Sequence, residues 1–151
     1  MIQQSRSRRG RAVGIDLGAR RIGIAVSDSA GTMALPRTTV VRSGDAERDR
    51  RTLVALILEE EATTVVVGLP LSLDGSRGRA AVEATEEADA LQTLLEGHPV
   101  SVELYDERLT TVSAHRALAA RGDRERDRRQ VVDQAAAAVM LSAWLEERGR
   151  P

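Results

Sequence analysis

Cysteine is absent from this chain of 151 residues. That excludes a disulfide framework, a thiolate metal site and a cysteine nucleophile. Phenylalanine is absent too, and there is one Trp and one Tyr. The core must therefore rest on Val, Ile, Leu and Ala, which argues against a module that grips single strands by stacking bases on aromatic rings. Lysine is missing as well, so all 22 basic residues are Arg. A GC-rich genome produces that bias, and Arg also suits bidentate contact with phosphate. No apolar run approaches the roughly 20 residues needed to span a bilayer. The basic N-terminus lacks the apolar segment of a signal peptide. No membrane partner is expected, and a cytoplasmic location fits.

What is present points to one packed domain. Apolar residues make up 42% of the chain, enough for a core, and the length suits a single domain. Residues 1–11 (MIQQSRSRRGR) read as a basic mobile tail, and residues 12–148 as the domain. The net charge of −1 means that any nucleic-acid site must be a local patch and not the whole surface.

Three short strands are expected first, over 12–18, 22–27 and 33–41, joined by turns into an antiparallel meander. Pro36 within the third argues for an edge or a bulge. Asp45 then caps a helix with Leu53, Leu56 and Ile57 on one stripe. Residues 64–68 (TVVVG) form a continuous β-branched run, the mark of a strand buried on both faces. A loop over 69–79 leads to a second helix bearing Ala84, Ala88, Leu91 and Leu95, stopped by Gly97 to Pro99. A fifth strand covers 100–105 and a helix 111–120. The charge-rich 121–130 reads as a flexible loop, and the last helix runs over 131–147. A meander followed by strands alternating with helices gives an α/β fold: a mixed five-stranded sheet, three strands antiparallel and two parallel, flanked by helices.

Candidate chemistry lies where acids interrupt this pattern. Asp16 stands in the first strand between Gly14 and Gly18, although a mid-strand carboxylate is disfavoured by propensity and burial. Asp106 and Glu107 follow the fifth strand, at the carboxyl edge where α/β sheets carry their sites; the sequence does not choose between them. Asp133 shares a helical stripe with Ala136, Ala137, Met140 and Trp144, which turns it toward the sheet. Carboxylates gathered in one pocket repel one another and are costly without a cation. Mg²⁺ suits carboxylate oxygens together with substrate phosphate. One or two such ions would supply the charge for phosphodiester hydrolysis with no covalent intermediate and no histidine base.

Four segments carry a resemblance. Residues 14–28 (GIDLGARRIGIAVSD), 66–75 (VVGLPLSLDG), 106–111 (DERLTT) and 132–137 (VDQAAA) resemble, in order, the motifs of the YqgF/RuvX family. The resemblance implies an RNase H-like fold related to the resolvase RuvC. It implies a Mg²⁺- or Mn²⁺-dependent nuclease that matures the 5′ end of pre-16S rRNA, some members being described instead as Holliday junction resolvases. By motif position Asp16, Glu107 and Asp133 would be the catalytic metal ligands. Arg108, Thr110 and Thr111 beside Glu107, and Arg77 and Arg79 in the loop, are candidates to hold substrate.

Two other readings fit parts of the sequence. Actin-like and sugar-kinase proteins open with a similar hairpin, but they close two domains around a nucleotide and this chain has one. An RNase H-like domain that binds rRNA without cutting it would not require all three acids. Cleavage of a branched DNA junction would call for two active sites, hence a homodimer.

Overall fold

The computed structural model describes residues 10–72, 74–109 and 126–149. The expected helix over 111–120, Thr110, Thr111 and most of the N-terminal tail lie outside the described residues.

Five strands form one sheet: β1 (Arg11–Leu17), β2 (Arg21–Ser27), β3 (Ala34–Val41), β4 (Ala62–Leu69) and β5 (Ser101–Asp106). Their order is β3-β2-β1-β4-β5. The first three pair antiparallel, and β4 runs parallel to both β1 and β5. This is the mixed sheet that the sequence pattern predicts. Pro36 lies on the edge strand, and the register slips beside it between Ile24 and Ala25. A residue without an N–H is tolerated on an edge strand, and among the described residues no strand pairs with β3 on its outer side.

Helices α1 (Ala46–Glu59) and α2 (Arg79–Leu94) follow β3 and β4. Asp45 caps α1, accepting from the N–H groups of Glu47 and Arg48. Leu53 and Ile57 on α1 and Ala84, Ala88 and Leu91 on α2 pack with Val13, Ile15, Ile22, Ile24, Val65 and Val67 into one core cluster. Each fully buried Leu or Ile there contributes about 1.5–3 kcal/mol of transfer free energy. α2 is capped by Leu95, and Gly97, at φ +86° in the turn beyond it, adopts a conformation that costs glycine little.

Helix α3 (Arg126–Gly149) builds a second cluster, in which Ala136, Ala137, Met140, Leu141 and Trp144 meet Ala12, Ala25, Val66 and Tyr105. Trp144 is thus core, and Arg148 stacks over its ring at 4.8 Å. One expectation is corrected. The charged stretch read as a loop is helical from Arg126 onward. Arg and Gln are good helix formers, and a helix nucleated by the apolar stripe after residue 131 extends through them at little cost. Among the described residues no helix is long and apolar enough to cross a membrane.

Candidate active site

Strand alternation sorts the acids. Val13, Ile15 and Leu17 of β1 face α1 and α2, which leaves Ala12, Gly14 and Asp16 on the face covered by α3. Asp16 is 2% exposed there. On β5, Tyr105 belongs to the α3-side cluster, so Asp106 falls on the opposite side and Glu107 returns to it. Burial separates the two acids. Glu107 is buried, at 6% exposure, and its carboxylate lies against Gly68 of β4. Asp106 serves a different purpose. Its two oxygens accept from Nε of Arg108 at 3.0 and 3.1 Å and from Nη2 at 2.7 Å. The guanidinium holds the Asp106 carboxyl below the usual carboxylate range by hydrogen bonding, and burial opposes this more weakly.

Three glycines let these groups approach. Gly23 of β2 is the antiparallel partner of Asp16. A Cβ built on Gly23 would run into the carbonyl of Asp133, so the backbone of α3 rests directly on β2 at this point. At Gly14 a Cβ would stand 3.1 Å from Cβ of Leu141 and 3.3 Å from the carbonyl of Ala137. At Gly68 it would strike Oε1 of Glu107 and lie 2.9 Å from Sδ of Met140. Missing side chains on three adjacent strands draw α3 onto the sheet and bring Asp133 to the same face as Asp16 and Glu107.

Asp133 is half-buried and accepts a hydrogen bond from Nε of Arg21 at 2.9 Å. The two residues are 112 positions apart, and nothing in the local pattern of either announces the pair. Among the described residues, no three acidic or histidine side chains are gathered tightly enough to enclose a metal ion. The three acids share a face and a sheet edge, with Asp133 drawn to Arg21.

The remaining candidates divide. Arg108 lies near the loop between β4 and α2: a Cβ on Gly75 would stand 3.5 Å from its Nη1, and its charge helps to keep the Asp74 carboxyl low, after the hydrogen bonds from Ser76. Arg77 and Arg79 are engaged along α2 instead. Nη1 of Arg77 donates to Oγ1 of Thr85 at 3.5 Å, and Arg79 pairs with Glu83 at 3.4 Å. The Arg79 side chain is 94% exposed, so this pair is worth a few tenths of a kcal/mol at most and leaves the arginine available. The glycines at 23 and 68 and the arginine at 21 were not singled out by the sequence. The available signal was glycine inside a strand, which marks close approach of another backbone or group.

Residues 10–147 match the profile of the family described as RuvX, Holliday junction resolvase. A protein of Rhodococcus erythropolis (strain PR4 / NBRC 100887), provisionally named a pre-16S rRNA nuclease, is 48% identical over 145 residues, covering 94% of this chain and 81% of that protein. A protein of the same name from Mycobacterium leprae (strain TN) is 49% identical over 139 residues, covering 92% and 74%. Among solved structures, RuvC of T. thermophilus in complex with a Holliday junction substrate superposes with a TM-score of 0.56 at 17% identity, over 92% of this chain and 95% of that one. At that identity the likeness is one of fold.

Proposed function

Because this chain belongs to the RuvX family, we propose that it is a divalent-metal-dependent endonuclease of structured nucleic acid that trims the 5′ end of pre-16S rRNA in the cytoplasm. Asp16, Glu107 and Asp133 are its metal ligands in this reading. The observation that carries it is the burial of Asp16 and Glu107 on the face that α3 closes with Asp133. Burying a carboxylate costs several kcal/mol unless partners compensate, and three acids turned to one face suit a cation as such a partner. Stability alone gives no reason to put an acid in the middle of β1.

The donor set fits a hard cation. All three groups offer carboxylate oxygen, which Mg²⁺ and Mn²⁺ accept along with substrate phosphate, and the chain has no thiolate to attract a softer metal. When bound, the metal supplies Lewis-acid stabilisation of charge developing on the phosphoryl group. The chain itself provides the rest. Gly68 leaves the space in which the Glu107 carboxylate sits, and Arg108 beside the β4–α2 loop attracts the phosphate backbone.

The test is cleavage of a pre-16S 5′ fragment and of a four-way DNA junction, in Mg²⁺ or Mn²⁺, by wild type and Asp16→Asn. Wild-type-only cutting of the RNA is expected. Preferential cutting of the junction would favour the resolvase role that the family description carries. Cutting of neither, with RNA binding retained, would leave a non-catalytic assembly factor. Asp16→Asn should still fold, because it removes a ligand charge while keeping the shape.

A further inference from the structure

Resting on the metal-site reading above, we propose that Arg21 is a positioning residue for Asp133: it fixes one carboxylate oxygen and leaves the other for the cation. The contact is made at a single point. Nε of Arg21 donates to Oδ2 of Asp133 at 2.9 Å, and both side chains are about one-fifth exposed. Oδ1 carries no hydrogen bond within the described residues. Asp106 is the contrasting case in the same molecule. There Arg108 takes both oxygens, and that carboxylate is spent on the ion pair.

Arg21 is well placed to act as a fixed arm. It opens β2, pairs with Val41 of β3, and its carbonyl accepts from the N–H of Gly18 at 2.9 Å. Two residues further on, Gly23 receives the backbone of Asp133. Main chain and side chain of Asp133 are thus both referred to one rigid hairpin, which also carries the partner of Asp16. A carboxylate held in this way loses less rotational freedom when it binds a cation. Ligating carboxylates are commonly oriented by such outer contacts, and losing one typically weakens metal binding about 10–100-fold.

The alternative has the opposite sign. If Arg21 acted only through its positive charge, it would repel a cation, and removing it would tighten binding. Mn²⁺ affinity, measured by titration calorimetry and by the electron paramagnetic resonance signal of free Mn²⁺, separates the two. Wild type, Arg21→Gln, Arg21→Lys and the exposed neighbour Arg20→Gln would be compared, with melting in EDTA as the check on folding. Arg21→Gln should bind Mn²⁺ about 10–100-fold more weakly, with Arg20→Gln unchanged and Arg21→Lys between. Unchanged or tighter binding in Arg21→Gln, or an equal loss in Arg20→Gln, overturns the proposal. If Arg21→Gln fails to fold, Arg21→Lys decides, since wild-type affinity there also overturns it. A wild type that binds Mn²⁺ no better than Asp16→Asn would sink the metal site itself and the proposal with it. A wild type that binds well while Arg21→Gln binds equally well would sink the proposal alone.

Discussion

The carboxylate of Glu107 fills the space that any side chain at residue 68 would need. Gly68→Ala is therefore a way to displace Glu107 without changing its chemistry. The added methyl also presses on Sδ of Met140 at 2.9 Å. Overpacking of this kind costs about 1–3 kcal/mol, and metal-dependent cleavage should fall by more than that stability loss explains. Cleavage measured well below the melting temperature gives the answer. Activity equal to wild type in folded Gly68→Ala would remove Glu107 from the site.

Arg108 offers a second test, of substrate and not of metal. It is held by Asp106, yet the pair lies at the exposed end of β5 beside the β4–α2 loop. A phosphate arriving there competes for the same guanidinium. Arg108→Ala should weaken binding of the RNA and lower the slope of log affinity against log salt by about one contact. A slope identical to wild type would mean that Arg108 touches no phosphate.

The β2–β3 turn makes the stability of the fold depend on pH. Asp28 accepts from Oγ1 and the N–H of Thr32 and from the N–H of Met33. These bonds, that from the Thr32 hydroxyl first, hold its carboxyl below the ordinary aspartate value. A group lowered by folding stabilises the folded state above its unfolded pKa, and that contribution is lost as pH falls through the folded one. Asp28→Ala should thus melt lower than wild type at pH 7, and the gap should close below about pH 4. A gap that stays constant down to pH 3 would assign the effect to the turn's shape and not to the carboxylate.

Much of this was legible in the order of residues. Alternation in β1 marked Asp16 as an acid out of place, and the stripe shared with Ala136, Ala137, Met140 and Trp144 marked Asp133. Pro36 announced the edge strand. Each signal is local, set by a period of two or of 3.6. The Arg21–Asp133 pair and the seating of Glu107 on Gly68 were not legible, because they join elements far apart in sequence and depend on how closely α3 approaches the sheet. The contrast in burial between Asp106 and Glu107 lies between these extremes. It needed only the face on which Tyr105 falls, a fact of β5 that burial reveals and composition does not. The charged start of α3 was misread because charge density says how a surface is solvated, not whether its backbone is helical.

The sheet has two unlike faces. Ile15, Ile22, Ile24, Val65 and Val67 meet α1 and α2 across one, while glycines, alanines and the acids meet α3 across the other. The two can therefore be altered separately. An engineer who wants a hardier protein can enlarge or re-pair the branched aliphatics under α1 and α2 while leaving the side chains that meet α3 unchanged. On the α3 side, by contrast, even a single methyl at Gly14, Gly23 or Gly68 meets α3 or the Glu107 carboxylate and must shift one of them.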